Sequence, residues 1–254
     1  MPAACAFILG YAVNKRFTAP ALSCSCLAML SVLEQALARH GLIVRGGFRP
    51  GPEDALPDLS DGSPARFLLL VGNVGSDLWK YFEDSPERRD GLSAPLDRWT
   101  RRVVEALATD FGAMALFPFS GPPYFPFQRW AQRAETVFPS PLGLLVHPAY
   151  GLWHAYRAAL LLPEPLDIQT EESASQSPCL SCAGKPCLSA CPVGAFTREG
   201  YDVGACASHI AKPGGRGCLE GGCLARGACP LGERYIYEPS HMAFHMAAFA
   251  RSRA

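Results

Sequence analysis

Eight cysteines between Cys179 and Cys229 constrain this chain more than any other feature of its sequence. The first half of the segment reads Cys-x2-Cys-x4-Cys-x3-Cys-Pro, and the second half ends in another Cys-Pro step. Two cysteines separated by two residues can bind adjacent irons of a cubane, and the next turn of the chain supplies a third cysteine. In two-cluster ferredoxins the Cys-Pro cysteine serves the other cluster. The spacing therefore predicts two [4Fe-4S] clusters.

Exchange of the Cys-Pro cysteines between the two halves gives two sets of four ligands. The first predicted set is Cys179, Cys182, Cys187 and Cys229. The second predicted set is Cys191, Cys206, Cys218 and Cys223. The spacing departs from a regular ferredoxin before Cys187 and through the second half. These departures affect which cysteine binds which cluster more than whether clusters are present.

Zinc and disulfides are the alternative explanations for so many cysteines. Structural zinc favours paired short spacings, commonly two C-x2-C knuckles, whereas this chain has one such knuckle and two Cys-Pro steps without a role in a zinc site. Disulfide scaffolds are small, secreted and cross-linked throughout, whereas about 150 residues without cysteine separate Cys26 from Cys179. No basic leader precedes the first apolar stretch. The pattern therefore favours an iron–sulfur protein in the reducing cytoplasm.

The composition limits the partners that this chain can have. Among 254 residues, 23 basic and 23 acidic side chains give no net charge, so no nucleic-acid partner is expected. The longest apolar runs are too short to cross a bilayer, and no membrane association is expected. The expected partner is a redox protein that gives or accepts electrons.

The pattern of apolar residues before the cysteines predicts an α+β core. Apolar residues recur at helical spacing over 27–40 and after Ser93, and these two segments alternate with short predicted strands. The apolar residues of 1–27 follow neither helical nor strand spacing, so this stretch is expected to lie outside the fold. Translation is expected to start at Met29. The predicted segments are an extension at 1–27, a core at 28–165, a linker at 166–178, a two-cluster ferredoxin-like domain at 179–232 and a C-terminal tail helix at 233–254.

Two stretches resemble known families. Residues 192–196 and 201–206, with the pairs Gly217-Cys218 and Cys229-Pro230, resemble the iron–sulfur half of epoxyqueuosine reductase, where a lone cysteine matching Cys206 is also a ligand. Residues 144–157 (LLVHPAYGLWHAYR) are similar to that family and, more closely, to the cobalamin-processing chaperone that removes upper-axial ligands from vitamin B12. The resemblance implies a nitroreductase-like α+β core that holds cobalamin, with flavin as the less favoured cofactor.

The departures from both families are informative. Epoxyqueuosine reductase has an aspartate proton donor shortly before a Glu-Arg pair, whereas Gln128-Arg129 occupies the pair here and the preceding GPPYFPF contains no acid. The helical-repeat tail of that family and a basic surplus for tRNA are also missing, so a true epoxyqueuosine reductase is not expected. The chaperone lacks clusters. The chain thus combines a chaperone-like core with the reductase's electron path.

Four residues of the core are candidates for binding a flat cofactor. His147 follows a buried strand and could face a corrinoid or flavin, although a loop histidine can equally bond the backbone. Arg157 could clamp a phosphate or amide, although a structural ion pair is favoured. Tyr150 and Trp153 could wall the ring, although aromatics often fill cores. His241 and His245, four apart, suit a metal, but without a further ligand nearby a packed or solvated helix face is favoured.

Two functions follow from these patterns. The preferred one is a reductase that passes electrons from two clusters to a corrinoid, or less favourably a flavin, in the core. The alternative is a ferredoxin-like electron carrier whose first domain docks a partner and holds no second cofactor. An apolar cavity wide enough for a tetrapyrrole-like ring, faced by His147 and Arg157, would favour the reductase, and a filled core would favour the carrier.

Overall fold

The structure is a computed structural model that describes residues 22–168, 176–197 and 200–253. Residues 1–21 of the predicted extension and 169–175 of the predicted linker lie outside the described residues. The first helix begins at Leu22, ahead of the boundary predicted at residue 28. At the start of the predicted linker, Leu166 is buried in the core.

The core contains helices and short strands in alternation. In chain order its elements are α1 (Leu22–Ala38), β1 (Ile43–Phe48), β2 (Phe67–Val74), α2 (Trp79–Glu83), α3 (Pro86–Arg89), α4 (Pro95–Asp110), β3 (Met114–Leu116), α5 (Phe127–Ala134), β4 (Phe138–Pro139), β5 (Leu145–Val146) and β6 (His154–Leu162). The helix predicted after Ser93 is confirmed as α4. It begins at Pro95, a residue suited to the first turn.

Four strands form an antiparallel sheet in the order β1-β2-β6-β3. Every residue of β2 is buried, so both faces of the sheet are covered. Successive side chains of a strand point to opposite faces. Leu69 and Val71 accordingly pack with α1 and α4 on one face. Leu68 and Leu70 pack with Trp130 of α5 on the other. This pattern is typical of a helix–sheet–helix core.

The cysteine-rich segment folds into short helices that pack on the core. They are α6 (Pro178–Ser181), α7 (Pro186–Ser189), α8 (Val203–Ile210), α9 (Arg216–Gly221) and α10 (Leu224–Gly227), and the longer α11 (Pro239–Arg251) follows in the C-terminal tail. A third apolar cluster joins the segment to the core through Val146 and Leu152 on one side and Ala225 on the other. Phe244 of α11 packs on Trp79 and Phe82. Across the described ranges, none of the helices is both long and apolar enough to cross a bilayer.

Candidate functional site

Two cavities in the cysteine-rich segment are each lined by four cysteines. The first, about 450 Å³ in volume, is lined by Cys179, Cys182, Cys187 and Cys229, with Pro178, Pro186 and Pro230 among its other residues. The second, about 20 Å³ in volume, is lined by Cys191, Cys206, Cys218 and Cys223. These two groups are the two sets that the spacing predicts. Metal ligation by these cysteines stays a prediction.

Burial and nearby backbone groups shape the chemistry of these thiols. Burial raises the pKa of the thiols of Cys179, Cys187, Cys218 and Cys223. The backbone N–H of Ala195 donates to Cys191 Sγ at 3.3 Å. No three histidine, cysteine or carboxylate side chains within the described ranges are close enough to hold a single metal ion.

The loop between β5 and β6 holds the cysteine-rich segment against the core. Gly151 has a φ of +58°, and a Cβ there would lie 2.0 Å from the carbonyl oxygen of Leu231. Gly232 has a φ of +73°, and a Cβ there would lie 2.2 Å from the carbonyl oxygen of Tyr150. Only glycine allows both this conformation and this approach. Two backbones that are far apart in sequence are thus in direct contact at this loop.

Arg226 of α10 makes the second connection between the same two parts. Its Nε and Nη2 donate to the carbonyl oxygen of Leu152 at 3.1 and 2.5 Å. Its guanidinium lies between two rings, 4.6 Å from the centroid of Trp153 and 4.5 Å from that of Tyr237. Cation–π contacts of this kind stabilise a partly buried arginine. Arg226 is therefore held in one position relative to the core.

Beside Arg226, a groove of about 240 Å³ opens between the sheet and the C-terminal helices. Its apolar wall comes from Leu144, Leu145, Leu152 and Ala155. Its polar wall comes from Gln128, His154, Tyr156, Arg226, Tyr237 and His245. The one-turn helix α10 separates this groove from the second cysteine cavity, because Leu224 and Ala225 line that cavity and Arg226 lines the groove. The groove is thus one helix turn away from a cysteine set.

A buried polar network lies behind the groove wall. Arg45, which is 2% exposed, forms an ion pair with Glu135 at 2.7 Å. The hydroxyl of Tyr156 donates to the same carboxylate. His154 Nε2 lies 3.1 Å from the carbonyl oxygen of Leu145, which can only accept, so Nε2 carries the proton. Its Nδ1 then accepts from Arg45 Nη2 at 3.2 Å. His154 and Tyr156 are therefore fully engaged with protein atoms.

A pair of histidines on α11 lies on the opposite side of the groove. The ring of His241 is stacked between Trp79 and Tyr237, with centroids 4.6 and 4.0 Å away. Its Nε2 lies 3.1 Å from Nε2 of His245, which lines the groove. Burial lowers the pKa of His241 to about 2 and that of His245 to about 4. Both rings are therefore neutral at pH 7.

The four residues that the sequence proposes for cofactor binding lie outside the lining of this groove. His147 stacks on Tyr150 at 4.1 Å, and its Nδ1 accepts the backbone N–H groups of Ala149 and Tyr150 at 3.0 and 3.2 Å. Burial, with Arg45 nearby, lowers the pKa of His147 to about 4. This is the backbone-bonding arrangement that the sequence leaves as an alternative.

Trp153 and Arg157 are engaged inside the fold. Trp153 is 2% exposed and packs on Tyr237. Arg157 forms an ion pair with Asp97 of α4 at 3.1 Å and donates to Thr100. Burial lowers the pKa of Arg157, and the Asp97 carboxylate opposes that shift. Of the four candidates, the structure brings His147 and Tyr150 into contact and places Arg157, on β6, against Asp97 and Thr100 of α4.

Sequence reasoning singled out one part of the groove and missed the rest. Six of the lining residues lie in the stretch 144–157 that resembles known families, although the residues proposed there for cofactor binding are others. Arg226 lies among the cysteines, and neither it nor Tyr237 belongs to a recognisable motif. The four-residue spacing of His241 and His245 was a further signal, and it was interpreted as a packed or solvated helix face. The structure confirms packing for His241, which is 1% exposed, and places His245 at the groove.

Comparison with known proteins supports the fold. No protein-family model and no curated protein sequence matches this chain. The crystal structure of a Caenorhabditis elegans B12-trafficking protein, CblC, a homologue of human MMACHC, is similar, with a TM-score of 0.51 and 15% identity over 88% of this chain and 95% of that one. Epoxyqueuosine reductase from Bacillus subtilis gives a TM-score of 0.46 and 16% identity over 83% of this chain and 68% of that one. The chain therefore has a mixed α/β fold similar to that of CblC.

Proposed function

We propose that this protein carries two [4Fe-4S] clusters and passes electrons to an acceptor bound at the groove beside α10. The observation that carries the proposal is the grouping of the eight cysteines. Each cavity combines cysteines distant in sequence, since Cys229 joins Cys179, and Cys191 joins Cys223. That crossed arrangement is the one expected when the Cys-Pro cysteine of each half serves the other cluster.

Each set supplies the four thiolates that a cubane cluster binds, and the second cavity, at about 20 Å³, would have to widen to hold one. A single zinc ion binds four sulfurs at about 2.3 Å from one point. A cubane instead binds each cysteine through a different iron, so its four ligands surround a volume. When bound, each cluster supplies one-electron transfer. The chain contributes the thiolates, the apolar surroundings and backbone donors such as the N–H of Ala195.

The position of α10 supports transfer towards the groove. Leu224 and Ala225 lie against the second cysteine set, and Arg226 reaches the groove from the same turn. An acceptor at Arg226 would therefore lie near the second set, with the first set further along the segment. The polar wall formed by Tyr156, Tyr237 and His245 would orient the acceptor. Fixed polar groups of this kind limit the reorganisation that accompanies a charge change.

A corrinoid is the acceptor that similarity to a B12-trafficking protein favours. The groove, at about 240 Å³, is smaller than common ligand pockets of about 300–1,000 Å³. The four residues expected to contact a corrinoid also lie outside its lining. A corrin ring therefore does not fit within the groove as it stands, and binding would involve the groove's outer surface. These two observations favour the second candidate function, an electron carrier that docks a partner.

The experiment that separates these functions uses protein purified without oxygen and incubated with hydroxocobalamin. Iron and cobalt per chain are measured after desalting, with optical spectra before and after dithionite. About eight irons with retained cobalt, whose spectrum changes on reduction, is the result expected of a corrinoid reductase. Eight irons without cobalt would leave the carrier as the better account. Zinc in place of iron would contradict the proposal.

A further inference from the structure

We infer that the groove beside α10 is a binding site for a small organic anion, whose oxyanion is held by Arg226 and His245. The anionic site itself does not depend on metal, whereas the identification of this anion with the electron acceptor rests on the proposed function. The groove combines an uncompensated cation, a neutral N–H donor and an apolar wall, and no acid lines it.

Arg226 forms no ion pair with any residue in the part of the chain that the structure describes. No carboxylate of the residues that the structure describes lies within ion-pair distance of it, although the other half-buried and buried arginines near the groove are paired. Arg45 is neutralised by Glu135, and Arg157 by Asp97. The bonds of Arg226 go to one carbonyl oxygen from Nε and Nη2. A guanidinium has five N–H donors, so further donors stay available for an oxyanion, which it can bind with two parallel bonds.

A chain of hydrogen bonds fixes the proton on His245. Ser76 Oγ accepts the backbone N–H of Glu238 at 2.8 Å and lies 3.0 Å from His241 Nδ1. We assign the Ser76 hydroxyl as the donor to this Nδ1, because the described residues offer it no other acceptor. A neutral His241 then carries its proton on Nε2 and donates to Nε2 of His245.

His245 consequently carries its own proton on Nδ1. That nitrogen has no hydrogen-bond acceptor among the described residues, and the ring lines the groove. His245 is thus presented to a ligand as a donor, and its orientation is set by His241 and Ser76. Among the other polar side chains of the wall, His154 and the Tyr156 hydroxyl are bonded within the Arg45–Glu135 network, and Gln128 Nε2 donates to the carbonyl oxygen of Gly143. The Tyr237 hydroxyl accepts from Asn73 and can add a second donor to the site.

The apolar part of the lining indicates the chemical character of the rest of the ligand. Leu144, Leu145 and Leu152 form the apolar part of the lining that Arg226 also joins. A volume of about 240 Å³ suits a ligand of a few heavy atoms, or one end of a larger molecule. We therefore expect an apolar body that ends in a carboxylate or a phosphate, and simple anions should occupy the polar end alone.

The test uses the reconstituted full-length protein with inorganic phosphate and acetate as probes, titrated by calorimetry at low salt. We expect saturable binding of at least one probe, which identifies the oxyanion, and weakening as ionic strength rises. Since a hydrogen bond to a charged group contributes about 1.5–3 kcal/mol, Arg226→Gln should weaken binding by roughly tenfold to a hundredfold. Arg216→Gln, which removes an exposed arginine paired with Glu220, is the control and should bind as the wild type does.

Arg226 also holds α10 in place, so a second variant tests the charge without disturbing that contact. Gln128 is exposed on α5 and lines the groove, whereas Gln132, one turn further on the same helix, does not line it. Gln128→Glu places a negative charge on the wall and should weaken anion binding several-fold. Gln132→Glu adds the same charge elsewhere and should bind within about twofold of wild type. Equal affinities in both glutamate variants would overturn the inference.

The outcomes separate this inference from the proposed function. Saturable binding in protein without iron would support the anion site while the two-cluster proposal fails. About eight irons per chain without saturable binding of either probe would overturn the anion site and leave the clusters in place. If Arg226→Gln shifts the cluster potential and leaves anion affinity unchanged, then Arg226 serves the cluster and the inference is wrong.

Discussion

Gly151 and Gly232 face each other so closely that neither can carry a side chain. A Cβ on Gly151 would lie 2.0 Å from the carbonyl oxygen of Leu231, and one on Gly232 would lie 2.2 Å from that of Tyr150. This contact joins the β5–β6 loop of the core to the end of the cysteine-rich segment. It sets the position of Arg226 and Tyr237, and through them the shape of the groove.

We predict that Gly151→Ala disrupts the contact between the core and the cysteine-rich segment. A left-handed conformation costs a non-glycine residue about 1–2 kcal/mol, and the clash with Leu231 adds to that cost. Gly143→Ala is the matched control, because Gly143 also has a positive φ, +74°, but no atom lies within 4 Å of a Cβ there. Urea unfolding should show a larger loss of stability for Gly151→Ala. Equal losses of stability in the two variants would mean that the close backbone approach at Gly151 does not contribute to the free energy of unfolding.

The buried ion pair of Arg45 and Glu135 should be essential for stability. Glu135→Gln leaves Arg45, 2% exposed, without a counter-charge, and breaking a buried pair costs about 3–5 kcal/mol. Glu164→Gln breaks a surface pair with Arg66 in which both side chains are 64% exposed, so it should cost less than about 1 kcal/mol. Chemical unfolding of the two variants measures the difference. A cost for Glu135→Gln as small as that for Glu164→Gln would contradict the buried network.

Acid should destabilise the fold through His147. Burial lowers the pKa of this residue from 6.5 to about 4, so the unfolded chain binds a proton at pH values where the folded chain does not. Stability is therefore complete above pH 6.5 and falls as pH decreases towards 4. Between pH 7 and pH 5 the loss from this residue should be about 2 kcal/mol.

His147→Asn is the variant that isolates this effect. The asparagine carbonyl can accept the backbone N–H groups that Nδ1 accepts from Ala149 and Tyr150, and it does not titrate. Urea unfolding at pH 7 and pH 5 should show a smaller pH-dependent loss in the variant than in the wild type. An unchanged difference between the two pH values would show that His147 is not held neutral.

The crossed grouping of the cysteines predicts which variants share a phenotype. Cys179→Ser and Cys229→Ser, at opposite ends of the segment, should lose the same component of the reduced electron paramagnetic resonance spectrum. Cys191→Ser should lose the other component, although Cys191 is close to Cys187 in sequence. If Cys191→Ser and Cys187→Ser abolish the same component, the ligand partition is wrong.

The regular parts of the fold were accessible from the sequence because they follow simple periods. The apolar run before Gly72 predicted the buried strand β2, and the four-residue spacing of Trp99, Val103 and Leu107 predicted α4. Cysteine spacing alone also predicted which cysteines share a cavity. Each of these inferences uses residues close together in the chain, or a ligand pattern with a fixed spacing.

The groove was not accessible in the same way. Its cation comes from the cysteine-rich segment, its histidine from α11 and its apolar wall from the β5–β6 region, and no sequence period relates the three. Arg157 depends on packing in the same way. The sequence left a ligand clamp and a structural ion pair open for it, and packing places it against Asp97 of α4. Long-range packing decides which polar side chains remain available to a ligand.

The most direct test of the account is the iron, sulfide and spin content of protein purified and reduced without oxygen. Two clusters in the crossed arrangement predict about eight irons and eight sulfides per chain, with two interacting S = 1/2 centres after reduction. Zinc, or a single cluster of four irons, would contradict the central claim.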